Sequence, residues 1–279
     1  MKRANEKYNT EVAWYIMTSN ANNKDTIDFF EENDYFGYNK NNVKFFIQGE
    51  LPMLLEDGKI ILENKGKIKL AADGHGGVFN AIHDSGMYED MVSRGIKYVF
   101  MGGIDNCLLN MVDPVFIGIC EEKGYKGASR TIAKNSPKDR VGAFCKKNGR
   151  PAVIEYSEIT DEMASLKYEN GEFVYGPSHI LENLFSLSFI GSLKDARLPY
   201  HSAHKASNYI DENGNEVIAT APNAFKYEAF LFDAFEKMDD VLLYQVVREE
   251  EFAPVKNKDG DESPETAKEL YNRLYNKNK

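Results

Sequence analysis

"AADGHGGVFNAI", residues 71–82, sets three glycines in four positions and interrupts them with a histidine. A strand-like run, "KIKLA" (67–71), leads into it, and a helical pattern starts directly after it. Two readings fit these residues. One is a tight turn, because Asp73-Gly74 is a turn pair and glycine tolerates positive φ. The other is a ligand loop, in which glycines let a ligand touch the backbone and a helix N-terminus offers free N–H groups. The flanking chain has to decide between them.

Upstream, "EVAWYIMTS" (11–19) and "VKFFIQG" (43–49) read as buried strands. Between them "DTIDFFEEN" (25–33) reads as a short helix with Asp25 or Thr26 as its cap. Asp57-Gly58 marks a hairpin turn. Downstream the spacing predicts a helix over about 78–94 with Gly95 at its end. An apolar strand in "IKYVFMGGIDN" (96–106) follows, then a helix in "DPVFIGICEEKG" (113–124) with Asp113 as cap, Pro114 in the first turn and Gly124 as stop. Strand and helix alternate, which predicts an α/β fold with a mostly parallel sheet in this half. Further on, Asn148-Gly149 predicts a hairpin and "DENGNEVI" (211–218) a second turn, so an antiparallel insertion is expected. "AFKYEAFLFDAFEKM" (224–238) has helical spacing, with Phe225, Ala229, Phe232 and Phe235 near one face. "VLLYQVV" (241–247) is a late strand, and a charged tail runs from Arg248 to a helical end, "PETAKELYNRLY". The expected organisation is one domain over 1–247 with a tail over 248–279.

Composition narrows the function classes. A net charge of −10 over 279 residues argues against a general nucleic-acid or anionic-membrane binder. Hydrophobic residues at 42% suffice for a sizeable core, and no run of about 18 apolar residues predicts a membrane span. Cys107, Cys120 and Cys145 are odd in number and lack metal-type spacing, which points to a reduced, cytoplasmic setting.

Ligands of open α/β sheets gather beyond the carboxyl ends of strands. Asp105 in "GGIDN" is placed there; it can hold a divalent cation that bridges phosphates, or simply cap a turn. Glu155 and Tyr156 in "VIEYSEI" (153–159) stand at another strand end, where a carboxylate can accept from sugar hydroxyls or remain solvated. Lys205 and Lys226 are scattered lysines that by themselves read as surface. Of the five histidines, only His201 and His204 have a spacing that would pair ligands on a helix, and a simple polar helix face is the favoured account of it.

In order along the chain, "WYIMTS", "FFEENDYFG", "FFIQGELP", "KIKLAADGHGG", "GIDN", "DPVFIGIC", "VIEYSEI", "FKYEAFLFDAF" and "VVREEEFAPVKN" resemble the eukaryotic-type UDP-sugar pyrophosphorylases. The N-acetylglucosamine branch is the nearest within that family. The resemblance implies a nucleotide-diphospho-sugar transferase fold: a Rossmann-like, GT-A-like mixed sheet with an antiparallel insertion. It implies uridylyl transfer from UTP to a sugar 1-phosphate, most of all N-acetylglucosamine 1-phosphate, with Mg²⁺ as cofactor. In the family a "PDGNGG" loop wraps the uracil, and Ala72 to Gly77 stand in its place here. The implied nucleotide contacts are Gln48, Gly74, His75 and Asp105, with Asp105 also the metal contact. The implied sugar contacts are Glu155, Tyr156, His179 and Lys226, and the implied catalytic cations are Lys205 and Lys226. His75 replaces an asparagine, and "YGPSHI" (175–180) replaces a sugar-contacting "NAGN", so both His75 and His179 are expected at the hexose and to alter sugar choice. The family's glycine-rich triphosphate loop has no counterpart before "WYIMTS". The first βα unit is therefore expected to be absent, with activity weak or dependent on a missing segment or second chain. A non-catalytic nucleotide-sugar binding module, and a glucose 1-phosphate enzyme, are the alternative expectations.

Overall fold

The computed structural model describes residues 1–275. Two compact units form, one from Met1–Gly95 with Gly191–Ala234, the other from Ile96–Ile190 with Phe235 onward.

In the first unit, the strands Trp14–Thr18 and Val43–Ile47 pair in parallel, Trp14 opposite Val43 and Thr18 opposite Ile47. Parallel neighbours need a crossover, and the helix Asn23–Glu32 supplies it. That helix starts earlier than expected: Asn22 precedes it without a side-chain cap bond, so neither Asp25 nor Thr26 caps it. Its Phe30 packs with Tyr38 and Val43 into an aromatic cluster. Trp14 meets Phe30 edge-on at 5.3 Å and Tyr38 at 6.0 Å. A three-stranded antiparallel sheet joins Tyr200–Lys205, Ala224–Ala229 and Leu54–Leu55. The Asp57-Gly58 turn forms as expected, with Leu55 N–H donating to Lys59 and Gly58 at φ +84°.

The second unit is built on a six-stranded sheet. Its long strand, Pro177–Ser186, pairs antiparallel with Gly127–Ala133, Gly142–Lys147 and Tyr98–Gly102. The Asn148-Gly149 hairpin closes Gly142–Lys147 onto Arg150–Ile154, both turn residues at positive φ. The helix Pro114–Lys123 begins at Asp113, whose carboxylate accepts from Val115 and Phe116, and stops at Gly124. The charged tail is part of this unit's core, with Leu108, Ala253 and Ala267 buried together and the helix Pro264–Tyr275 over them.

Four further expectations fail, each for a physical reason. The sheet is not mostly parallel: among the described residues only Trp14–Thr18 with Val43–Ile47, and Leu242–Gln245 with Gly127–Ala133, pair that way. Segment 224–238 is not a helix. Ala224–Ala229 is a strand, because a partner strand rewards its alternation of aromatic and polar residues, and a 3₁₀ turn follows over Leu231–Lys237. The 78–94 helix is two helices, Val78–Asp84 and Met87–Ser93, parted at Gly86 with φ +76°. His201 and His204 lie on a strand, so their odd spacing sends them to opposite faces.

Candidate functional site

In the first unit the glycine loop is shaped by its own neighbours. Gly74 adopts φ +87°, and a Cβ there would overlap the Ala229 carbonyl oxygen. A Cβ on Gly76 would come within 2.7 Å of the Ala229 and Phe230 backbone. The glycines therefore let the loop settle on the end of the Ala224–Ala229 strand, with no room for a side chain. Asp73 ties the loop down: its N–H donates to Gly49 at 3.0 Å, and its carbonyl accepts from Ala229 at 2.7 Å. Gln48, at the end of the Val43–Ile47 strand, donates its own N–H to Thr18 at 2.8 Å. Its side-chain Nε2 donates to Asp73 Oδ1 at 3.4 Å.

His75 lies in the same loop. Its Nδ1 accepts from the Leu231 N–H at 3.0 Å, and its ring stacks on Phe230 at 5.4 Å. An accepting Nδ1 requires the neutral ring. Burial lowers its pKa from 6.5 to about 4, with Glu228 opposing the shift.

The two lysines come together on one sheet face. Lys205 pairs with Ala224, and Lys226 with Ala203, so the lysines are diagonal neighbours roughly 7–8 Å apart. Glu228 and His201 are directly opposite each other on that same face. Lys226 Nζ is 2.7 Å from Glu228 Oε1, and His201 Nε2 is 3.0 Å from the buried Asp233 carboxylate. Lys205, at the strand end, is exposed. His204 is on the other face, stacked on Phe225.

In the second unit Asp105 follows the Tyr98–Gly102 strand, half-buried, its carbonyl accepting from Val255 at 2.8 Å. Its neighbour Asn106 holds the loop. Asn106 Nδ2 donates to Glu182 Oε1 and to the Glu251 carbonyl, and Oδ1 accepts from Leu108 and Ala253. Beneath is Arg130, fully buried, with Nη2 2.8 Å from Asp113 and Nη1 3.0 and 3.2 Å from Glu182 and Glu251. Its Nε is buried with no hydrogen-bond partner among the described residues. Burial pushes the Glu182 carboxyl up to about 8, against the pull of Arg130. Burial also raises the Glu251 carboxyl. Glu155 and Tyr156 stand just past the Arg150–Ile154 strand, as the sequence predicts, with Tyr156 half-exposed. His179 is buried in the sheet, its Nε2 3.1 Å from Asn183 Oδ1 and its ring edge-on to Phe144.

The first unit thus gathers Gln48, Gly74, His75, Lys205 and Lys226, and the second unit carries Asp105, Glu155, Tyr156 and His179. Sequence reasoning passed over Asp73, Glu228, the His201–Asp233 pair and the Arg130 cluster. The Lys-x-Glu spacing of "FKYE" was a readable sign for Glu228 once the segment is a strand, and an arginine inside "GASRTIA" was one for Arg130.

The mixed α/β fold is nucleotidyltransferase-like, and solved UDP-sugar pyrophosphorylases share it. The chain is a member of the UTP–glucose-1-phosphate uridylyltransferase family, whose model matches residues 1–261. It is 42% identical over 263 residues to the UDP-N-acetylhexosamine pyrophosphorylase-like protein 1 of Xenopus tropicalis, covering 92% of this chain and 51% of that protein. It is 36% identical over 280 residues to UDP-N-acetylglucosamine diphosphorylase 2 of Arabidopsis thaliana, covering 99% of this chain and 55% of that one. The crystal structure of the uridine diphosphate N-acetylglucosamine pyrophosphorylase from Trypanosoma brucei, in complex with inhibitor, matches with a TM-score of 0.83 at 33% identity. That match covers 96% of this chain and 56% of the other. The chain spans about half the length of the curated relatives it matches. No helix among the described residues is long and apolar enough to cross a membrane.

Proposed function

We propose that this chain carries uridylyl-transfer chemistry, making UDP-N-acetylglucosamine and pyrophosphate from UTP and N-acetylglucosamine 1-phosphate. The observation that carries the reading is the shared face of Lys205 and Lys226. The names of the relatives support the N-acetylhexosamine branch. A phosphate oxygen of the sugar 1-phosphate attacks the α-phosphorus of UTP in line. The new P–O bond forms as the bond to the β-phosphate oxygen breaks, and pyrophosphate leaves with the electron pair. No protein nucleophile is needed; positioning and charge neutralisation suffice. Lys205 and Lys226 offset the charge that builds on the phosphates, and Glu228 holds Lys226 in place between turnovers. Gln48 and the Gly74 loop receive the base. Glu155 and Tyr156 accept the hexose hydroxyls.

Asp105 fits the role of Mg²⁺ contact, because Mg²⁺ takes one or two carboxylates and completes its shell with water and substrate phosphates. A half-buried carboxylate at a strand end is that kind of donor. When bound, the ion supplies further charge neutralisation at the phosphates. The three cysteines are unpaired, in keeping with a reduced, cytoplasmic setting.

The test is calorimetry with UDP-N-acetylglucosamine and an ADP-sugar, alongside pyrophosphate release with each sugar 1-phosphate. The uridine ligand binds at least tenfold tighter, because a site that hydrogen-bonds one base leaves groups unpaired with another. Lys226→Ala weakens binding of UTP more than of uridine. Equal affinities, or no binding at millimolar ligand, overturn the reading.

A further inference from the structure

Asp73 is buried, 9% exposed, and its main chain is held on both sides, by Gly49 and by Ala229. Its carboxylate lies over two glycines. A Cβ at Gly49 would come to 2.5 Å from one carboxylate oxygen, and a Cβ at Gly77 would overlap both. The carboxylate is therefore packed in one place, and a larger side chain at either neighbour would displace it. What it meets there is the side-chain amide of Gln48.

An ionised carboxylate only accepts hydrogen bonds, and an amide donates only through its nitrogen. The two ends of a glutamine amide are otherwise alike in shape, and which end faces which way is ordinarily ambiguous. Beside Asp73 the choice is made chemically: the NH₂ end faces the carboxylate, and Oε1 is left as the end available to a ligand. Burial raises the Asp73 carboxyl, and the Gln48 donor and Lys226 act against that rise, so the pairing favours the ionised form.

We propose that Asp73 is a positioning residue that sets base choice by fixing which end of the Gln48 amide is presented. This rests on the reading of Gln48 as the group that meets the base. A presented Oε1 accepts, so the favoured base carries a ring N–H at the Watson–Crick edge. Uracil has that donor at N3; cytosine has a lone pair at N3 and repels a carbonyl oxygen. Asp73 thus discriminates between two bases of the same size without touching either one. Glycines at 49 and 77 belong to the same device, because they make room for the carboxylate.

The test measures affinity of UDP and CDP, by calorimetry, for the wild-type chain and for Gln48→Leu and Asp73→Asn. Wild type favours UDP by at least tenfold, and Gln48→Leu loses most of that preference. Asparagine keeps the volume but offers either a donor or an acceptor, so Gln48 is free to present either end. Asp73→Asn therefore lowers the UDP-to-CDP ratio by about tenfold, the scale of one mispaired buried amide, with its melting temperature recorded alongside. If wild type shows no preference, or Gln48→Leu leaves it intact, the base role of Gln48 falls and the proposal with it. If Gln48→Leu abolishes the preference while a folded Asp73→Asn keeps it, the proposal alone is overturned. A second measurement needs no variant at Asp73. In the wild-type chain without nucleotide, the Gln48 side-chain amide protons, assigned by their loss in Gln48→Leu, exchange more slowly than those of exposed glutamines. Exchange at the free rate overturns the proposed pairing.

Discussion

In the first unit a carboxylate, Asp73, is buried among glycines and met by a neutral amide. In the second unit a guanidinium, Arg130, is buried among three carboxylates. The first arrangement uses shape: backbone approach is so close that no side chain fits, and a neutral amide donates to the carboxylate. The second uses charge, with Asp113, Glu182 and Glu251 gathered around one cation and burial pushing the Glu182 carboxyl up to about 8. The glycine loop is sensitive to added volume, and the arginine cluster to lost charge. Each prediction below strikes at one side of this contrast.

The largest effect falls on the charge side. Arg130→Met leaves the carboxylates buried without their cation and costs about 3–5 kcal/mol of stability, read by urea denaturation. Glu182→Gln keeps an acceptor for Arg130 and leaves Asp113 and Glu251 as its counter-charges, so it costs less than Arg130→Met. Equal losses in the two variants would mean that the cluster is held by packing and that charge matters little.

Next comes the volume side. Gly74→Ala places a methyl against the Ala229 carbonyl at a φ that alanine avoids. It costs about 2 kcal/mol or more and weakens UDP binding. Gly58→Ala, also at positive φ but with open space around it, serves as the control for strain alone and costs less.

The third prediction uses pH, to which the two regions respond with opposite sign. The folded His75 takes its proton near pH 4 and the unfolded one near 6.5. Its contribution is full above 6.5 and is lost as the pH falls from 6.5 through 4. The folded Glu182 releases its proton near pH 8 and the unfolded one near 4.5. Its contribution is full below 4.5 and is lost as the pH rises through 8. Denaturation at a series of pH values therefore shows an acid-side loss abolished by His75→Asn and an alkaline-side loss abolished by Glu182→Gln. Variants that leave both slopes unchanged would remove this part of the contrast.

The smallest effect on stability belongs to Lys226. Its pair with Glu228 is partly exposed, so Lys226→Ala costs about 0.5 kcal/mol. A much larger cost would make the lysine a structural part of the sheet.

The same contrast explains what could be read from the sequence. Asp113-Pro114 with Gly124, and Asn148-Gly149, are local signals that need no tertiary partner, and both elements form where expected. The glycine loop announced itself by composition. Its reason did not, because the atoms that exclude a Cβ at Gly74 belong to Ala229, distant in sequence. The 224–238 segment misled because its phenylalanines match a helical period, while the pairing with Tyr200–Lys205 decides its state. The Arg130 cluster is drawn from four separate segments with no common spacing. The resemblance places His75 and His179 at the hexose; the fold engages one ring nitrogen of each, His75 Nδ1 with the Leu231 N–H and His179 Nε2 with Asn183 Oδ1.

Trp14, set edge-on against Phe30 and Tyr38, is the sole tryptophan of the sequence. Its indole emission is consequently an optical signal from the first unit alone, because the second unit has no indole. Followed during denaturation beside far-ultraviolet circular dichroism, which registers helix and strand everywhere, it separates the melting of one unit from that of the whole. Coincident curves mean that the two units unfold in a single cooperative step. Curves that part give each unit its own midpoint from one unlabelled sample.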